Sequence, residues 1–154
     1  MTENRIRIDL KRAIKGGEER TLTTLRMLIS AIQEKERKKR YLLSDKEALL
    51  TEEEIGEAVF SEIKKREEAI REFEKGKRMD LVDKEKEEMA ILKQYLPEQM
   101  PEEELIIIIK KAIQETGAQN PKDAGRVMAK VMLVVKGRVA GAVVRDLVSQ
   151  FLSR

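Results

Sequence analysis

Lys122, Arg126 and Lys130 recur at steps of four, Gly125 sits among them, and Lys136, Gly137, Arg138 and Gly141 follow shortly after. Cations at that spacing share one helix face, and a glycine removes the side chain that would hold a phosphate at a distance. Near helix N-termini, such a set is a candidate phosphate-binding face. Its chemistry is recognition of a nucleic-acid backbone by charge, with no bond made or broken. Plainer readings compete, since basic triplets at helical spacing are common on ordinary solvated helix faces. Glycine four residues into a helix costs ~1 kcal/mol against alanine, and for Gly125 we favour close packing between helices as the reason.

Chemistry that makes or breaks bonds has little to work with. The chain has no Cys and no His, which removes disulfides, thiol nucleophiles, Cys- or His-ligated metal centres and the imidazole base of serine and cysteine hydrolases. The acidic runs Glu52-Glu53-Glu54 and Glu102-Glu103-Glu104 are first turns of helices, which accounts for them without catalysis. Glu85 interrupts an apolar stripe, where burial would raise its pKa, but a lone half-buried acid is more often ion-paired than catalytic. No Gly-rich phosphate loop, amidase-type serine signature or metal-ligand spacing occurs. The expectation is therefore no catalytic residue, no metal, no cofactor and no independent activity. With 3% aromatic residues and no Trp, base-stacking platforms are also poorly supplied, so any RNA would be held through its phosphates.

The elements that must position these residues read as helices throughout, and the fold class is all-α. Residues 2 to 96 lack proline, and their apolar positions recur at three and four rather than two. A first helix carries Ile6, Leu10 and Ile14 and stops at Gly16-Gly17. A second carries Leu22, Leu25, Leu28 or Ile29, and Ile32, then a basic run of Lys35, Arg37, Lys38, Lys39 and Arg40. Thr51-Glu-Glu-Glu54 predicts an N-cap with a capping box. The third helix it opens has Ile55, Val59, Ile63, Ile70 and Phe73 inward and Gly76 as its stop. At 1.5 Å per residue, Thr51 to Lys75 spans about 37 Å, which predicts an extended antiparallel hairpin with the second helix. A fourth helix from about Asp80 would use Leu81, Glu85, Met89, Leu92 and Leu96, closed by Pro97. Arg26, between Leu25 and Met27, is expected to pair with an acid on the third helix such as Glu62. The basic clusters at 35 to 40 and at Lys64, Lys65, Arg66 and Arg71 are interleaved with Glu and read as salt-bridge-laced exposed faces.

Pro97-Glu-Gln-Met-Pro101 marks a boundary between a domain of residues 1–97 and one of residues 98–154. The second has nine Lys and Arg against seven Asp and Glu, a net +2, and the whole chain is +3. The tail is thus the more basic part per residue. It reads as three helices. Pro101 serves as the first residue of one that ends at Gly117, and Asn120-Pro121-Lys-Asp123 starts another with Val127, Val131, Val134 and Val135 inward. The last carries Val143, Val144, Leu147, Val148, Phe151 and Leu152. No run approaches the ~20 apolar residues of a membrane span, no secretory signal is evident at the N-terminus, and a cytoplasmic home is expected.

Three stretches taken together carry a resemblance: Thr24-Leu-Arg-Met-Leu28; the block from Glu62-Ile-Lys-Lys-Arg66 through Phe73, Gly76, Arg78, Asp80 and Leu81 to Tyr95-Leu-Pro-Glu-Gln-Met100; and Gly125-Arg-Val-Met128 with Gly137-Arg-Val-Ala-Gly141. In order and spacing the chain resembles the YqeY-like proteins of the GatB/YqeY family over essentially its whole length. The resemblance implies a two-domain helical protein with an elongated N-terminal domain. Its small three-helix C-terminal domain is similar to the tail domain of the B subunit of glutamine-dependent aminoacyl-tRNA amidotransferases. In that larger subunit the tail helps engage tRNA, while the chemistry resides elsewhere. Two departures stand out. Pro101 replaces a small polar cap, and Val139-Ala140-Gly141 replaces an Ala-Asp-Gly, which removes a carboxylate from the start of the last helix.

Two functions follow as expectations. One is a tRNA-binding or tRNA-associated accessory protein whose contact residues are Lys122, Gly125, Arg126, Lys130, Lys136, Gly137, Arg138 and Gly141. The other is a helical module that docks a protein partner through its charged N-terminal hairpin.

Overall fold

Helix signals in the sequence become seven α-helices in the computed structural model, which describes residues 1–97 and 99–153. They are α1 (Thr2–Gly16), α2 (Glu19–Leu43), α3 (Glu52–Lys75), α4 (Met79–Lys93), α5 (Glu102–Thr116), α6 (Ala124–Val135) and α7 (Gly141–Leu152), with a 3-10 turn at Pro121–Asp123. No strand occurs among the described residues. Packing divides the chain into two compact units, Met1–Leu96 and Pro97–Arg154. Glu98, inside the Tyr95-to-Met100 element and first residue of the tail domain read from sequence, lies outside the described residues.

Local chemistry sets the helix ends. Gly17 adopts the left-handed conformation at φ 68° that ends α1, a backbone shape glycine takes without strain. At the start of α3, the Thr51 hydroxyl accepts from the Glu54 N–H at 3.2 Å while the Glu54 carboxylate accepts from the Thr51 N–H at 2.7 Å. That closes the capping box. Gly76 follows α3 at φ −81°, and the positive φ of that turn falls on Lys77 instead.

In the N-terminal unit, Ile6, Leu25, Leu28, Ile32, Ile55, Val59, Ile63, Leu92 and Tyr95 form one core. Some faces differ from those read by spacing. Ala13, not Ile14, completes the inner face of α1, and Ile14 is exposed. Each step of four overshoots a helical turn by about 40°, so by the second step the side chain has rotated off the stripe. On α4 the buried positions are Val82, Glu88 and Leu92, with Leu81 and Glu85 at the margin. Phe73 likewise is only partly buried. The long helix α3 packs more extensively on α4 than on α2, so its hairpin partner is the helix that follows it. Tyr95 anchors the other end of the unit. Its hydroxyl donates to Asp9 on α1 at 2.7 Å, the Arg5 guanidinium lies over its ring, and burial together with the Asp9 carboxylate pushes its pKa well above the ordinary range.

A charged cluster is built into this core. Arg66 Nη1 donates to the Glu62 carboxylate at 2.7 Å, Arg66 Nε stands 3.5 Å from the Glu88 carboxylate of α4, and all three side chains are buried. Arg20 of α2 reaches Glu88 at 4.0 Å, and Lys65 reaches Glu62 at 3.0 Å. The expected pairing of Arg26 with Glu62 is corrected. Arg26 is exposed and makes no ion pair among the described residues, while Arg66, one turn from Glu62 on the same helix, takes that role.

The C-terminal unit packs α5, α6 and α7 around Leu105, Ile109, Ala112, Val127, Val131, Val135, Val144, Val148 and Leu152. Val134 and Val143 are exposed, against the sequence reading, because the stripe on each helix narrows to every fourth residue. Leu147 and Phe151 sit at its edge. Pro101 precedes α5 as its N-cap rather than opening it, and Gly117 closes it at φ 68°. The Asn120 side chain accepts from the Lys122 N–H at 3.0 Å, capping the 3-10 turn rather than α6 directly.

Arg66→Ala strands two buried carboxylates and is expected to destabilise the protein by about 3–5 kcal/mol, read as a fall in the urea midpoint. Adding Glu62→Gln and Glu88→Gln should recover part of that loss. A change within about 0.5 kcal/mol, the scale of surface substitutions, would deny the cluster its structural weight.

Candidate nucleic-acid interface

The eight tail residues singled out above all belong to the C-terminal unit, and the fold separates them into two stations. The first lies at the start of α6. Lys122 is exposed in the 3-10 turn and makes no ion pair among the described residues, with Arg126 and Lys130 following on the outer face of α6. The second lies between α6 and α7. Gly137 turns the chain there at φ 78° but is buried, so it serves the turn and not a direct contact as the sequence reading expects; Lys136 and Arg138 flank it, and Gly141 opens α7.

Each station is moored to a different end of α5. Lys130 bonds Glu115 at 2.6 Å, and Arg126 bonds Asp123 at 2.6 Å while also reaching the Thr116 carbonyl at 3.5 Å. Arg138 lies 3.8 Å from Glu104, and its carbonyl accepts from the Met100 N–H at 3.3 Å. Glu104 and Glu115 are eleven residues apart on one helix, so the stations are separated by about 16 Å. A single phosphate cannot bridge that distance, but a nucleic-acid strand running along the unit can meet both.

Electrostatics follow from these pairs. Lys130 holds the Glu115 carboxyl below the usual range. The Gln119 N–H, and then Arg126, do the same for Asp123. Both carboxylates therefore stay ionised and compete with any incoming phosphate for the same cations. Sequence reasoning missed these acids as partners. Glu115 and Lys130 are fifteen residues apart and no local pattern joins them, although Asp123 and Arg126 at a spacing of three could have been paired by the helix rule.

Gly125 is where the sequence reading most needs correction. Close helix packing does not explain it, because the residue is exposed and a Cβ built there meets nothing within 4 Å. Gly141 is half-buried, although a Cβ built there also meets nothing within 4 Å. With packing removed, Gly125 is a bare stretch of backbone between two outward cations at the first turn of a helix.

The N-terminal basic clusters are spent largely within the unit. Lys35 pairs with Glu57, Lys38 with Glu34, Lys39 with Glu54 and Arg40 with Glu36, at 2.6 to 3.2 Å. This agrees with reading the run at 35 to 40 as a salt-bridge-laced face, whereas in the cluster of Lys64, Lys65, Arg66 and Arg71 the expectation of an exposed face is corrected: Arg66 is buried in the core, and Lys64 and Arg71 make no ion pair among the described residues. Glu85 is only partly buried and, against expectation, forms no ion pair among the described residues. Burial and the neighbouring Glu88 push its carboxyl upward. It borders an open groove of about 580 Å³ with Arg26, Met27 and Ser30.

Comparison with known proteins matches the YqeY-like protein family over residues 3–152. The chain is 29% identical over 138 residues to a protein of Pyrenophora tritici-repentis named altered inheritance of mitochondria protein 41, mitochondrial, a match covering 87% of this chain and 71% of that one. It is 30% identical over 93 residues to an uncharacterized protein of Schizosaccharomyces pombe, covering 60% of this chain and 70% of that one.

The open setting of Gly125 generates a test. Gly125→Ala meets no obstruction and is expected to stabilise the protein by roughly 0.5–1 kcal/mol through helix propensity, seen as a higher melting temperature. A fall in melting temperature would show that the position is sterically constrained after all.

Proposed function

The chain belongs to the YqeY-like protein family, and from that premise we propose that it is a tRNA-associated accessory protein that holds RNA through the C-terminal unit. The observation that carries this reading is Gly125, an exposed helical glycine without a packing role, set between Lys122 and Arg126. Lys130, Lys136, Arg138 and the backbone at Gly141 extend the contact along one strand. The resemblance of this unit to the amidotransferase tail supports tRNA as the RNA in question. The role is one of binding, and purified protein supplied with glutamine and Glu-tRNA is not expected to form Gln-tRNA. The cytoplasm is the compartment we assign on cysteine usage. The name of the Pyrenophora relative says mitochondrial, and among the described residues no helix is long and apolar enough to cross a membrane.

Binding through phosphates must weaken as salt rises. Labelled tRNA titrated at low and moderate salt should show that dependence, and Arg126→Ala, Lys130→Ala and Arg138→Ala combined should lower the log–log salt slope by up to ~2 to 3 units. Helicity and melting temperature should barely move, because the ion pairs lost are exposed ones. Gly125→Ala should weaken binding even as it stabilises the fold. No binding at either salt with ~100 μM protein, where nonspecific phosphate contacts register, would end this reading.

A second reading, a helical module docking a protein partner through the N-terminal unit, is favoured by one feature: Tyr41, Leu42 and Leu43 are all exposed at the end of α2. Its expected result is a partner captured from nuclease-treated lysate and lost with Leu42→Asp. Dependence of the capture on RNA would remove it.

A further inference from the structure

Tyr41, Leu42, Leu43 and Leu49 are 85%, 79%, 60% and 66% exposed, and contiguous apolar surface of this kind on a soluble domain marks an interaction site. The tip they form is firmly built. Lys39 Nζ donates to the Leu49 carbonyl at 2.8 Å and to Glu54 at 2.7 Å, and Arg40 Nε donates to the buried Ala48's carbonyl at 2.8 Å. These bonds draw the loop after α2 back onto the helix, so Leu49 is presented beside the α2 residues rather than left to wander. Ser44 takes a left-handed backbone at φ 52° to make the turn, and the Asp45 N–H donates to the Arg40 carbonyl at 3.0 Å.

Charge around the tip is of both signs and uncommitted. Arg37, one turn before Tyr41, makes no ion pair among the described residues, and neither do Asp45 and Glu47 just beyond Leu43. Arg37 therefore lies before the apolar centre, and beyond it the exposed Lys46 stands between the two carboxylates, which leaves that side net negative. An acidic protein segment or an anionic lipid surface would satisfy Arg37 and Lys46 but press like charge against Asp45 and Glu47. A second copy turned through a two-fold axis satisfies both sides at once, since an isologous contact places each patch against its own complement.

We propose that the α2 tip is a self-association surface, joining two copies of this chain through Tyr41, Leu42, Leu43 and Leu49, with Arg37 of each copy facing Asp45 and Glu47 of the other. This gives the docking reading a specific occupant and rests on that reading, while being independent of RNA. The apolar centre is small, so the dimer is weak and concentration-dependent.

Sedimentation equilibrium of the full purified chain, from about 5 to about 500 μM to bracket weak affinities, should show the mass rising from 17.8 kDa toward twice that value. Leu42→Asp should weaken association at least ~10-fold with an unchanged circular dichroism spectrum, because the side chain is exposed. Arg37→Glu alone sets three acids together. Asp45→Asn with Glu47→Lys opposes cation to cation, and the Asn oxygen still accepts from the N–H of residue 47. Each should be monomeric alone, and an equimolar mixture of the two should dimerise, because both opposed pairs are then of unlike sign. A mass of 17.8 kDa across the whole range, a dimer indifferent to Leu42→Asp, or a mixture no more associated than its components would each overturn the proposal. A monomeric chain that still captures another protein through Leu42 would also overturn it, leaving docking to a different partner.

Discussion

Arg66 is a permanent cation held away from water, and the N-terminal unit is arranged so that carboxylates from two helices reach it. Glu62 comes from its own helix α3 and Glu88 from α4, with Arg20 of α2 at the far side of Glu88. A buried guanidinium with either acid missing would be strongly unfavourable, whereas the same space filled by apolar side chains could be equally stable. The network therefore acts as a register device more than as a source of stability. Sliding α4 along α3 would part Glu88 from Arg66 and leave both charges buried without each other. Because α3 packs most extensively on α4, fixing that pair fixes the frame on which α1 and α2 lie.

Helix ends were legible in the sequence because they are local. Thr51 with Glu54, Gly17, Gly117 and Asn120 each act through atoms a few residues away, and each was readable from residue type and spacing. Helix faces were less so. Ile14, Val134 and Val143 have the residue type of a core but point outward, since the angular width of a buried stripe is set by how close the neighbouring helices come. Arg66, four residues after Glu62 on one helix, was legible as its partner by spacing, whereas excluding Arg26 required knowing which side of α2 faces α3. Of the candidate site, the cations and their glycines were visible, but not their acidic partners Glu115 and Glu104, which depend on how α5 lies beside α6 and the loop after it.

Those pairings change what the basic tail can do. Free cations would attract any polyanion, but Lys130 and Arg126 already hold carboxylates at 2.6 Å. A phosphate has to displace or share an existing partner, so its gain is the difference between two charge-assisted contacts rather than the whole of one. Weak, readily reversed association at several points is the natural result. On the proposed RNA-binding reading, stations spread along α5 would make affinity depend on the ligand's path, a discrimination by shape and not by base.

The hydrogen bond from Tyr95 to Asp9 joins residues 86 positions apart, and that separation sets an order on events at the ribosome. Helix α1 is made before α4, so this bond can form only when the chain has grown past α4. At translation speeds of about 5–20 residues per second, the interval is roughly 4 to 17 seconds. During it α1 can already pack on α2, its main partner, while Ile6, fully enclosed in the finished protein, still lacks the part of its core that Leu92 and Tyr95 supply. Closure of the N-terminal core thus waits on the segment that carries Tyr95.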